Sequence, residues 1–203
     1  ASTADPLAVE HLTGSLRQTI TFFGRQEYGR LRVVSKFANV NGLLDIEHQG
    51  HTKFRFSINS AYVIKTFEAK TAPLSERLAA AGKMAAAGYP LGFIIAPLFL
   101  YEHWQADYRR LLKDLAQWLR PHQPPSLSFE LISHRFTARA KKVILERFPQ
   151  TKLEMDERNR KLKWGKYGYG KYLYPPEQLE ALKNWFTDEI KERFPQAEIA
   201  YFT

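Results

Sequence analysis

The stretch Leu91-Gly-Phe-Ile-Ile-Ala-Pro-Leu98 constrains the fold more than any other part of the chain. It is apolar at both phases of a strand's alternation, so neither face of such a strand is suited to water. A strand of that kind belongs inside a parallel sheet covered on both faces. The wider apolar run, Pro90 to Tyr101, is about a dozen residues and falls short of the roughly 20 needed to cross a membrane. No membrane partner is expected. Parallel neighbours must be joined by crossover helices, and the flanking sequence alternates in that sense.

Asp5-Pro6 can open a helix, with Asp at the cap and Pro at the first position. Leu7, Leu12, Leu16, Ile20 and Phe23 then recur at helical steps as far as Gly24. Residues 30–36 read as a strand, 40–48 as a short helix before a turn at Gly50, and 53–59 as an alternating strand. A short helix over 61–69 and a helix from Leu74 to Ala87, stopped at Gly88, follow. After the strand at Leu91–Leu98 come a helix from His103 to Leu119, a proline break, a strand from Leu127 to Ile132 and a helix from Ala138 to Phe148. Lys161 to Tyr174 reads as a hairpin, Pro176 to Phe194 as a helix and Glu198 to Phe202 as a closing strand. Phe22, Phe23, Trp118, Trp185 and Phe186 fall on apolar helix faces and are expected in the core. Four strands between Asp5 and Phe148 are too few for an eight-stranded barrel, so the order suits part of a barrel or a small open sheet.

Composition narrows the chemistry. The chain has 203 residues, the length of one domain or of a domain with an appendage. It contains no cysteine, which excludes disulfides, thiolate nucleophiles and cysteine-held metal clusters supplied by this chain alone. The six histidines are scattered, and no metal site is expected from them. No basic segment followed by an apolar one opens the chain, so no signal peptide is expected. The net charge is +9, spread along the chain with an excess of four in residues 1–100 and five in 101–203. That balance is compatible with a polyanionic partner.

Residues 158–174 hold six basic side chains and no acid, with Trp164, Tyr167, Tyr169, Tyr172 and Tyr174 interleaved. Gly165, Gly168 and Gly170 permit a tight turn. Cations neutralise phosphates and release counterions. Aromatic rings stack on unstacked bases or wedge into a duplex. The competing reading is a solvated hairpin whose rings pack on the body. Arg135, Arg139, Lys141 and Lys142 form a second basic stretch, read as ordinary surface. Lys36, Ser57, Asn59 and Ala96 sit at strand ends, where α/β barrels place their functional groups. For Lys36 the alternative is a plain surface cation, and for Asn59 a helix cap.

Several segments together resemble the spore photoproduct lyase family: Leu31-Arg-Val-Val-Ser-Lys-Phe37, Phe54-Arg-Phe-Ser-Ile-Asn59, Ala87-Gly-Tyr-Pro-Leu-Gly-Phe-Ile-Ile-Ala-Pro97, Phe129-Glu-Leu-Ile-Ser-His-Arg-Phe136, Lys163-Trp-Gly-Lys-Tyr-Gly-Tyr-Gly-Lys-Tyr172 and Ala200-Tyr-Phe-Thr203. The resemblance runs in order along the whole chain and covers the carboxy-terminal part of the family's enzyme. It implies an α/β fold, a partial (β/α)6 TIM-type barrel with an appended basic β-hairpin. Residues 1–150 would form the barrel portion, and 151–203 the DNA-binding hairpin with a closing helix and strand. It implies repair of 5-thyminyl-5,6-dihydrothymine, the spore photoproduct, to two thymines by radical chemistry on S-adenosylmethionine. The family's 4Fe-4S cluster is held by a Cys-x3-Cys-x2-Cys motif that is absent here, so an amino-terminal cluster-binding half is an implied partner. The other implied partner is double-stranded DNA carrying the lesion. The implied location is the cytoplasm of a spore-forming bacterium.

By the same resemblance, Lys36 is similar to the lysine that pairs with the cofactor's carboxylate, and Ala4, Ser57 and Ala96 match cofactor contacts. Tyr167 matches the hairpin aromatic that stabilises the opened lesion, with Lys163, Trp164 and Lys166 beside it on DNA. Lys166 stands where the family usually has an arginine, which keeps the charge but loses the planar fork. The family reads Cys-Thr-Ser-Asp where this chain reads Ser2-Thr-Ala-Asp5. Ser2 therefore stands at the hydrogen-donor cysteine. An alcohol O–H bond is much stronger than a thiol S–H bond, so this chain is expected to fail at hydrogen return. The alternative is a non-catalytic nucleic-acid-binding module that retains the hairpin.

Overall fold

The computed structural model describes residues 5–165 and 168–203. Ser2, Ala4, Lys166 and Tyr167 lie outside the described residues. The main sheet contains β1 (Leu31–Ser35), β2 (Thr52–Ile58), β3 (Leu91–Leu98), β4 (Leu127–Ser133) and β7 (Glu198–Phe202), in the order β1-β2-β3-β4-β7. Every neighbouring pair is parallel. β5 (Lys161–Trp164) and β6 (Gly170–Leu173) form a separate antiparallel ribbon.

The helices are α1 (Glu10–Thr13), α2 (Ser15–Gly24), α3 (Ala61–Phe67), α4 (Leu74–Ala86), α5 (Trp104–Leu119), α6 (Ala138–Arg147) and α7 (Pro176–Arg193). Strand order follows chain order without reversal. Right-handed crossovers then all fall on one side of the sheet. One apolar cluster confirms this: Leu16 and Ile20 of α2, Met84 of α4, Leu112 of α5 and Phe186 of α7 join Val33, Phe54, Phe56, Phe93 and Phe129 of the strands.

The opposite face is polar. Register aligns Val34, Arg55, Gly92 and Ser128 across β1 to β4, and Ser57 with Ile94 and Glu130 one step further. Arg55 of β2 reaches over β3 to Glu130 of β4, a contact of 2.5 Å. Gly92 makes that reach possible, since a Cβ there would lie 3.0 Å from Arg55 Cγ. The Tyr201 hydroxyl of β7 donates to the other oxygen of Glu130 at 2.9 Å. Leu91–Leu98 is therefore covered by helices on one face only. On the other face Ile94 and Ala96 are half-buried beside this polar network.

Several expectations need correction. The helix read from Asp5 to Gly24 is broken: a 3-10 turn at Pro6–Val9 leads into α1, and Gly14 adopts φ 62° before α2 begins. Glu10 caps the new start, accepting from the Leu16 and Arg17 N–H groups. Residues 40–48 form only a 3-10 turn at Asn41–Leu43. Phe22 and Trp118 are exposed, not core. Asn59 is not the cap of α3: Ser60 is, accepting from Val63 N–H, while the Asn59 amide donates to Pro97 O and ties β2 to β3. The main sheet and its helix layer are completed by β7 and α7, which follow the hairpin in the chain. No helix among the described residues is long and apolar enough to cross a membrane.

Candidate functional site at the strand ends

Lys36 directly follows β1, Ser57 lies near the end of β2 and Ala96 near the end of β3. Ser35 pairs with Phe56, Ser57 with Ile94. Alternation then puts Lys36, Ser57 and Ala96 on the polar face, at the same end of three adjacent strands. The structure brings these three sequence-predicted positions together.

Their surroundings are organised. Asp5 accepts from the Lys36 N–H at 2.7 Å and from the Ser35 hydroxyl at 2.9 Å, and also caps the turn at Pro6 through Leu7 N–H. The Lys36 ammonium meets Glu68 Oε1 at 2.8 Å, with the lysine side chain 37% exposed and the glutamate 7%. Glu68 Oε2 accepts from Arg77 at 2.8 Å. Arg77 is fully buried and also donates to Ala72 O, Thr71 Oγ1 and the carbonyl of Ser57. The Ser57 hydroxyl makes no hydrogen bond among the described residues. Neither Glu68 nor Arg77 is marked in the sequence by any spacing that would single it out.

The hairpin is seated at the same end of the sheet. Phe136, just past β4, exchanges backbone hydrogen bonds with Tyr172. The Leu100 N–H, just past β3, donates to the Tyr174 hydroxyl at 3.1 Å. Arg160 stacks 3.7 Å from the Tyr174 ring centroid, donates to His134 O at 3.1 Å and pairs with Glu154. His134 is buried against Phe99 and Phe136. Burial first, and the Arg160 charge second, push its pKa down to about 4, so the ring is neutral and can accept from Arg160.

The four of the five interleaved rings that lie among the described residues thus divide. Tyr172 and Tyr174 anchor the hairpin, whereas Trp164 is 68% and Tyr169 51% exposed. The cations divide as well. Asp156 and Glu154, just upstream, fold back on Arg158 and Arg160, so the stretch that is acid-free in sequence is partly neutralised in space, while Glu157 pairs with Lys141 of the second basic stretch. Lys161 and Lys163 remain exposed with no ion pair among the described residues, as does Lys171 at lower exposure. α6 buries none of its residues and packs beside β6 rather than under the sheet. Gly168 alone of the three hairpin glycines has positive φ, 77°. A Cβ on Gly170 would lie 2.6 Å from Leu162 Cδ1.

This donor set suits a carboxylate-bearing ligand: a partly exposed ammonium and a hydroxyl that has no partner among the described residues lie on one polar face. No group of three or more His, Cys, Asp or Glu able to hold a metal occurs among the described residues. With no cysteine in the sequence, the chain offers no thiolate to an iron–sulfur cluster.

A family model described as spore photoproduct lyase matches residues 1–203. Spore photoproduct lyase of Bacillus subtilis is 49% identical over 201 residues, 99% of this chain and 59% of the relative. That of a Geobacillus species is 47% identical over 203 residues, 100% of this chain and 60% of the relative. Among solved structures, a double mutant of spore photoproduct lyase with bound AdoMet and dinucleoside spore photoproduct superposes with a TM-score of 0.94 at 49% identity. It is covered over 60% of its length by the whole of this chain. A spore photoproduct lyase complexed with dinucleoside spore photoproduct gives the same TM-score, 0.94, and the same coverage. The chain spans about three-fifths of the length of the curated relatives it matches.

Proposed function

The chain belongs to the spore photoproduct lyase family, and from that premise we propose that it is the portion of a spore photoproduct lyase that binds S-adenosylmethionine at the strand ends and grips lesion-bearing double-stranded DNA with its hairpin. The observation that carries this reading is the shared location: Lys36, Ser57 and Ala96 lie at the end of the sheet where Leu100 and Phe136 seat the hairpin. Strand order without reversal supports a partial (β/α)6 barrel in which this end is the mouth. S-adenosylmethionine, with a 4Fe-4S cluster held by a separate amino-terminal segment, would supply the radical that opens the lesion.

The chain's own residues do the binding. Lys36 pairs with the cofactor carboxylate, and Ser57, Ala96 and Ala4 line the remainder. Lys163 and Lys166 contact phosphate, while Trp164 and Tyr167 present rings to the opened bases. Asp5 ties the chain just after Ala4 to the end of β1, which supports Ser2 and Ala4 acting beside Lys36. Ser2 in place of the family's cysteine leaves no thiol to return hydrogen, so turnover is slow or ends in side products.

Two measurements test the reading. Tyr167→Ala is expected to weaken binding to lesion-bearing duplex more than to undamaged duplex; equal losses would favour a non-catalytic nucleic-acid-binding module. Ser2→Cys with Ala4→Ser, in the intact cluster-loaded protein under reducing conditions, is expected to raise thymine release from the lesion. An unchanged yield would count against the assigned role of Ser2.

A further inference from the structure

Lys36 is held at both ends. Its backbone N–H donates to Asp5 and its ammonium to Glu68. A lysine side chain left free samples many rotamers, and a partly exposed ion pair adds little to stability. The consequence of the Glu68 contact is therefore mainly geometric.

Glu68 is fixed in turn. It is the C-cap residue of α3, its N–H donating to Ile64 O. The segment that follows it folds onto Arg77, which projects from α4. Arg77 gives four of its hydrogen bonds to Ala72 O, Thr71 Oγ1, Ser57 O and Glu68 Oε2. A buried guanidinium needs such partners. Glu68 divides its oxygens, one inward on Arg77 and one outward on Lys36. The same Arg77 holds the backbone of Ser57, so one buried side chain sets the spacing of both strand ends.

We propose that Glu68, locked by Arg77, is a positioning residue that aims the Lys36 ammonium at the carboxylate of S-adenosylmethionine. This rests on the reading of Lys36 given above. The pair holds the ammonium in place before ligand arrives, with donors left over to receive a second carboxylate.

The test is a double-mutant cycle in the intact protein, read by calorimetric titration with S-adenosylmethionine and with 5′-methylthioadenosine, which lacks the carboxylate. Glu68→Gln keeps the shape but loses the charge that restrains Lys36. It is expected to weaken S-adenosylmethionine binding by about tenfold, the scale of one hydrogen bond to a charged group. Methylthioadenosine binding is expected to be unchanged, and the loss to vanish in a Lys36→Met background. Equal losses for both ligands, or full additivity in the double variant, would overturn the inference while leaving Lys36 as the carboxylate's partner. If Lys36→Met itself leaves S-adenosylmethionine affinity unaltered, the underlying reading of Lys36 fails first. Should Glu68→Gln melt too low to titrate, Glu68→Asp keeps a charge beside Arg77 on a shorter arm. The same carboxylate-selective loss is expected there, and its absence overturns the proposal.

Discussion

His134 stands where the main sheet meets the hairpin, with its ring centroid 4.7 Å from that of Phe99 and 5.8 Å from that of Phe136. The free ring titrates near 6.5, the folded one near 4. Above the free value neither state binds the proton, and the stabilisation from the neutral buried ring is fully present. As pH falls from about 6.5 toward 4 the unfolded chain takes up a proton that the folded one refuses. Stability therefore falls across that window, by roughly 3 kcal/mol in all, and the effect levels off below it. Denaturant midpoints measured against pH are expected to show this slope in the native protein and to lose it in His134→Gln. Parallel curves for the two would contradict a neutral His134. Nothing in the spacing of the histidines points to this role, because it depends on Phe99, Phe136 and Arg160 converging from three separate segments. The same limit explains Phe22 and Trp118: an apolar stripe says that a face can be buried, not that the neighbouring element is wide enough to cover it.

The hairpin is the element whose sequence speaks most plainly, and its rings and cations still needed sorting in space. Tyr174 and Arg160 are consumed in anchoring, leaving Trp164 and Tyr169 turned outward. Lys161 and Lys163 are the exposed cations on β5. If they neutralise phosphates, Lys161→Gln and Lys163→Gln should each reduce the slope of log K against log salt by about 0.9, equally for damaged and undamaged duplex. An unchanged slope would remove these lysines from the proposed DNA contact. Trp164→Ala should weaken binding to single-stranded DNA by about 1–3 kcal/mol if its ring stacks on a base. The helices were legible where a single period and a stop signal coincided, as in α4 with Gly88 at φ 80°. The first helix was not, because Gly14 in the left-handed region and the reach of Glu10 to Leu16 N–H break a pattern whose apolar spacing continues unbroken.

For the whole molecule, α7 is the tie. It runs from the hairpin's second strand back to β7, and buried Phe186 packs among the rings of Tyr108, Trp104 and Trp185. Phe186→Ala should destabilise the protein by about 3–5 kcal/mol, the usual range for a deleted core aromatic. Tryptophan fluorescence and far-ultraviolet circular dichroism should report one coincident transition, since sheet and hairpin share this helix. Two separated transitions would show that the hairpin unit folds on its own. The sequence alone determined the βα alternation, the apolar strand at Leu91–Leu98 and the hairpin, because each is a local pattern of side-chain period and turn chemistry. Only the tertiary structure decided that β7 pairs with β4, that Arg55 crosses Gly92 to reach Glu130, and that Arg77 and Glu68 stand behind Lys36. Those contacts join residues far apart in the chain, and their partners are selected by strand register and burial, which no local stretch encodes.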